Sequence, residues 1–146
     1  MGSGPTQPTE QYFDKGAWGY DGSQWRKLPL LLGYTSIWDE NLGGTASGAT
    51  WNVGTSAIPA GEIRILQSLS IRDLTRATAT VYLYIVRASG AVVGLAYVAT
   101  LAVGVVQAVV GQFLMGPGDV AYVYVGATVA GDTMQGGIVG YKMAVG

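Results

Sequence analysis

Polar and apolar side chains alternate along two neighbouring stretches of this chain. Between Glu62 and Arg72, the side chains of Ile63, Ile65, Leu69 and Ile71 stand opposite those of Glu62, Arg64, Ser68, Ser70 and Arg72, with one break at Leu66-Gln67. Further on, Ala79, Val81, Leu83 and Ile85 stand opposite Thr78, Thr80, Tyr82 and Tyr84. A period of two, carried by β-branched and aromatic residues, is the signature of a strand with one buried face. The polar run from Asp73 to Ala77 is short enough to reverse the chain, so the two stretches are expected to pair as a hairpin forming one wall of a β-sandwich.

The same alternation continues to the end of the chain. Thr50–Val53 reads as a short strand, and 56–61 as the turn that leads into Glu62. Ser89-Gly90, Leu101–Gly104, Gly116-Pro117-Gly118-Asp119 and Ala130-Gly131-Asp132-Thr133 are turn sequences. They bound strands at Val92–Thr100, Val105–Met115, Val120–Val125 and Met134–Met143. From Thr50 this makes about seven short strands, the spacing of an all-β antiparallel sandwich or jelly roll. Ala88–Gly118 holds no charged residue. Val92–Met115 is long enough to span a bilayer as a helix, and a single-span membrane protein is the reading this stretch offers against the sandwich. Gly94, Gly104, Gly111 and the alternation of 105–115 favour a strand buried on both faces instead.

Ahead of the sandwich the pattern changes. Gln11–Trp51 contains all four tryptophans and eight of the fifteen aromatic residues, interrupted too often by glycine for a long helix. Ala17–Tyr20 and Gln24–Leu28 can pair across Tyr20-Asp21-Gly22-Ser23 as a small hairpin, and Pro29 keeps Leu30-Leu31-Leu32 on an extended or edge path. Gly43–Gly48 is a linker composition, so residues 1–48 are expected to be an extended arm and 49–146 the sandwich domain. Such an arm cannot build a core of its own. Its apolar residues Tyr12, Phe13, Trp18, Tyr20, Trp25, Leu30, Tyr34 and Trp38 are candidates for docking, either on the arm's own sandwich or on a partner. Residues 1–9 have neither the basic nor the apolar region of a secretory signal.

Composition sharpens this. Charged residues are 12% of the 146, against 49% apolar, where roughly a quarter charged is usual. A surface so poorly charged is expected to be covered by sister subunits. Tyr82, Tyr84, Tyr122 and Tyr124, placed on sheet exteriors, are the candidate oligomer contacts, with glycan stacking the other use of such a row. A net charge of −1 argues against nucleic acid or an anionic membrane as partner.

The chemistry is correspondingly thin. There is no His and no Cys, which removes the usual base for a Ser or Thr nucleophile and most metal-ligand sets. The acids Glu62, Asp73, Asp119 and Asp132 fall at strand ends and turns, where turn chemistry is their ordinary role. Asp119 and Asp132 on one rim could together hold a hard cation. No catalytic residue, metal site or cofactor is expected.

Residues 57–143 resemble the small β-sandwich modules of tailed-bacteriophage virion proteins. The likeness lies in Ala57-Ile58-Pro59-Ala60-Gly61-Glu62-Ile63-Arg64-Ile65, in Val81-Tyr82-Leu83-Tyr84-Ile85-Val86, and in the Gly116-Pro117-Gly118-Asp119 turn before Val120-Ala121-Tyr122-Val123-Tyr124. Gly16–Pro29 looks like a leading motif of phage structural proteins. The resemblance implies a non-enzymatic virion protein, assembled in the host cytoplasm. It would be a homo-oligomer, by expectation a trimer, bound to a major capsid protein as head decoration or to a tail protein as a fibre or adhesion module.

Overall fold

The computed structural model describes residues 18–20, 23, 25–27 and 36–145. Its strands are β1 (Trp18–Tyr20), β2 (Trp25–Lys27), β3 (Ser36–Asn41), β4 (Gly44–Thr45), β5 (Thr50–Gly54) and β6 (Glu62–Asp73). They continue as β7 (Val81–Val86), β8 (Val92–Val98), β9 (Gln107–Met115), β10 (Val120–Gly126) and β11 (Thr133–Ala144). β1 and β2 form the expected hairpin, with Tyr20 opposite Trp25. The rest is a β-sandwich of antiparallel sheets, one ordered β5-β10-β7-β8 and the other β3-β11-β6-β9, with β4 added beside β11. Leu66, Leu69, Ile71, Val81, Leu83, Ile85, Val123 and Val125 fill the space between them and are essentially inaccessible to solvent.

Four features differ from what the periodicity predicts. First, β6 and β7 are not a hairpin, because each belongs to a different sheet. Asp73 turns the chain by accepting the Thr75 and Arg76 amides on Oδ1 (2.7 and 3.1 Å), and Thr78 bridges to Leu101 before β7 begins. Alternation shows that each strand has one buried face. It does not show whether two such strands lie side by side or face each other across the core.

Second, the break at Leu66-Gln67 is a β-bulge. Gln67 has no partner on β11 or β9, and the register shifts there on both sides. A bulge reverses which side chains face inward. Leu69, Ile71 and Asp73 point inward after it and Arg64 and Leu66 before it, which leaves Ile63 and Ile65 half-buried on the opposite side.

Third, Trp38 is a core residue at 3% exposure, not part of a docking arm. β3 pairs with β11 along its length, so the sandwich already includes residues 36–48. Fourth, β9 is buried on one face only, leaving Val110 80% and Leu114 60% exposed. The stretch that could have been a membrane helix is β8, a turn with Gly104 at φ 73°, and β9. No described helix is long and apolar enough to cross a membrane.

Both ends of the sandwich are tied by ion pairs. At one, the Arg87 guanidinium meets Asp119 at 2.7 Å, and Asp119 also accepts the Ala88 and Gly116 amides, both at 2.9 Å. At the other, Arg76 Nε lies 2.7 Å from Asp132, which accepts the Val129 amide. Burial alone would raise both carboxyls, but these bonds and charges hold both below the usual 3.8. A carboxylate lowered in the folded state stabilises it above the unfolded value, and the gain is lost as pH falls through the folded one. The urea midpoint is therefore expected to hold from pH 7 to about 4 and then to fall as these groups protonate, with Asp119→Asn flattening the decline.

Candidate functional site

The sequence candidates divide by position. Tyr12, Phe13, Leu30 and Tyr34 lie outside the described residues, Trp18, Tyr20 and Trp25 lie on the β1–β2 hairpin, and Trp38 lies in the core. The four sheet tyrosines come together. Strand register sets Tyr122 opposite Tyr84 and Tyr124 opposite Tyr82 on β10 and β7, with Tyr97 of β8 opposite Tyr82. All lie on the outer face of the four-stranded sheet, half-buried except for Tyr97 at 64% exposure.

The rings stack on one another rather than standing apart. Tyr84 stacks with Tyr82, with centroids 4.8 Å apart and planes at 19°, and with Tyr122 at 5.2 Å and 10°, while Tyr97 meets Tyr82 edge-on. Glycine makes room for this. A Cβ at Gly94 would meet the Tyr82 hydroxyl at 2.6 Å, and one at Gly54 would meet the Tyr122 ring at 2.7 Å. Tyr84 Oη donates to Asn52 Oδ1 at 3.0 Å. Burial pushes the Tyr84 phenol above 10.0; the Asn52 bond opposes this, and the neighbouring Tyr122, Tyr82 and Tyr124 hydroxyls add to it. None of the four strands of this sheet contains a charged residue.

The outer face of the other sheet holds a second apolar surface, which sequence reasoning missed. Register aligns Ile37, Tyr141, Ile65 and Leu114 straight across β3, β11, β6 and β9, with Asp39, Val139, Ser68 and Val110 in the next row. Ile37 is 68% and Val139 48% exposed. The signal in the sequence was the Leu66-Gln67 break, which moves Ile65 from the core to this face.

Among the described residues, Asp119, Asp132, Glu40 and Arg72 are already engaged. Asp119 and Asp132 lie at opposite ends of the sandwich, each paired with an arginine, so they do not form a cation rim. Glu40 accepts from Trp38 Nε1, Ser56 N and Ser56 Oγ and lies 3.5 Å from Arg64. Arg72 forks onto Gln135 Oε1 in a shallow hollow beside Ser70 and Val106. Among the described residues, no group of three His, Cys, Asp or Glu could hold a metal ion.

No family model and no curated protein matches the sequence. Among solved structures, the chain is similar to the Drosophila NLP core, a structure described for pentamer formation and histone binding. The identity is 12% and the TM-score 0.41, over 75% of this chain and 99% of that one. It is also similar to infectious bursal disease virus structures of the Gx strain (11%, TM-score 0.37, 89% of this chain and 36% of that one) and the Gt strain (9%, 0.34, 88% and 37%). The chain thus spans little more than a third of the viral chains it matches. Likenesses of this size carry no argument about function.

Proposed function

We propose that this chain is a non-enzymatic structural subunit of a tailed-phage virion, located on the particle and assembled in the host cytoplasm. It forms a homo-oligomer, by the phage resemblance a trimer, and attaches by its N-terminal arm to the capsid as a decoration protein. The observation that carries the subunit reading is the charge-free four-stranded sheet with its outward tyrosine ladder. Large apolar faces of this kind on small domains are covered in the working assembly. The virion setting rests on the resemblance of residues 57–143 to phage β-sandwich modules.

A tail module that binds host glycans through the same tyrosines is the competing reading. Sugars stack on free aromatic faces, and the Tyr84 ring is already stacked against Tyr82 and Tyr122. That favours a protein contact. The test is removal of residues 1–35, since a cut at 48 would also strip β3 and β4 from the sheet. The shortened chain is expected to stay folded and oligomeric but to lose binding to arm-dependent sites on purified heads, seen by co-sedimentation. If it still decorates heads, the arm is not the anchor.

A further inference from the structure

We infer that the tyrosine face of one copy seats on the outer face of the five-stranded sheet of the next. The copies would then join head to tail, not face to face in pairs. This rests on the homo-oligomer reading above and names the surface that receives the tyrosines.

The two faces are the opposite outsides of one sandwich. An isologous tyrosine-to-tyrosine contact would cover one and leave Ile37, Leu114 and Val110 in water. A heterologous contact covers both; faces on opposite sides of a subunit build a stack, which closes into a ring of several copies only where the faces are inclined to one another. The surfaces also suit one another. Phenols drawn out of water need hydrogen-bond partners, and on the tyrosine face Asn52 Oδ1 already accepts from Tyr84. The opposite face brings acceptors beside its aliphatic rows: the exposed Asp39 carboxylate and Gln112 carboxamide, and the Ser68 and Ser70 hydroxyls. Aromatic rings meet aliphatic side chains, and hydroxyl donors meet acceptors.

Each face is four strands wide, roughly 19 Å by 20 Å at the usual strand spacing. That is about half of the ~800 Å² per partner of a standard interface, so a copy buries a comparable area only when both of its faces are covered.

The test is complementation between two variants substituted at exposed positions. One carries Asn52→Lys and Tyr97→Lys on the tyrosine face; the other carries Val110→Lys and Leu114→Lys on the aliphatic face. Tyr97→Lys alone replaces the first if the double variant loses its β-type circular dichroism. Each variant alone is expected to run as a monomer in native mass spectrometry where the wild type forms a larger oligomer. An equimolar mixture, one partner isotope-labelled, should give heterodimers, because one intact tyrosine face and one intact aliphatic face remain. An oligomeric wild type whose variants give only monomers or homodimers on mixing overturns the head-to-tail contact but not the subunit reading. A monomeric wild type overturns both.

Discussion

Gly140→Ala is expected to destabilise the chain by about 3 kcal/mol. Gly140 sits where the β11–β6 register shifts, opposite Leu66 on one side and Trp38 on the other. A Cβ added there would press on the Ile65 carbonyl oxygen, closer than ordinary van der Waals contact permits. The obstacle is backbone in a strand paired on both sides, so it cannot swing away as a side-chain tip would. Overpacking of this kind costs about 1–3 kcal/mol, and each ladder hydrogen bond opened to relieve it adds roughly 1 kcal/mol. Gly48→Ala is the control. Nothing lies within 4 Å of its added Cβ, and a change within about 0.5 kcal/mol is expected. Urea unfolding at one fixed protein concentration measures both, because assembly would otherwise shift the midpoint. A cost below about 1 kcal/mol for Gly140→Ala would mean that the bulge is soft.

That bulge also explains where the sequence can be read and where it cannot. Turn chemistry is local, so it was legible. Gly90, Gly104, Gly118 and Gly131 all take positive φ in turns that the composition marks out. Strand existence was equally legible, since alternation in 81–86 and 120–125 needs only one buried face. The phase of 62–66 was not. Gln67 looks the same in a sequence whether it interrupts a pattern or reverses it, and the register shift falls opposite Val139 and Gly140, more than seventy residues away. Trp38 was misplaced for a related reason: glycines around it read as a linker, whereas Gly43 and Gly44 lie close against Met134 and Trp51. The tyrosine face was legible because Tyr82, Tyr84, Tyr122 and Tyr124 share a parity with the residues opposite the core. The aliphatic row was not, because it forms only once the bulge has turned Ile65 outward.

Arg64→Ala should cost about 3 kcal/mol, and the reason is the same reversal of phase. Arg64 is 7% exposed and faces inward, with its guanidinium 4.8 Å from the centre of the Trp38 ring. It lies 3.5 Å from Glu40 and 3.2 Å from Glu62. Removing one member of a buried pair costs about 3–5 kcal/mol, because a charge is left without its partner. Glu40 and Glu62 keep 24% and 19% side-chain exposure, so solvent takes up part of that loss and the lower end is expected. Arg64→Met keeps the apolar stem over Trp38 and should recover roughly half. Acid separates the charge from the packing contribution. Burial would raise the Glu40 carboxyl, but Ser56, Trp38 and Arg64 together hold it below 4.5. The ion pair therefore stabilises the fold above that value and is lost as pH falls through the lowered one. The gap between wild type and Arg64→Ala in urea midpoint should accordingly narrow between pH 6 and pH 3. The gap between Arg64→Ala and Arg64→Met, which reflects the stem against Trp38, should persist. A wild-type-to-Ala gap unchanged at pH 3 would assign Arg64 a packing role only.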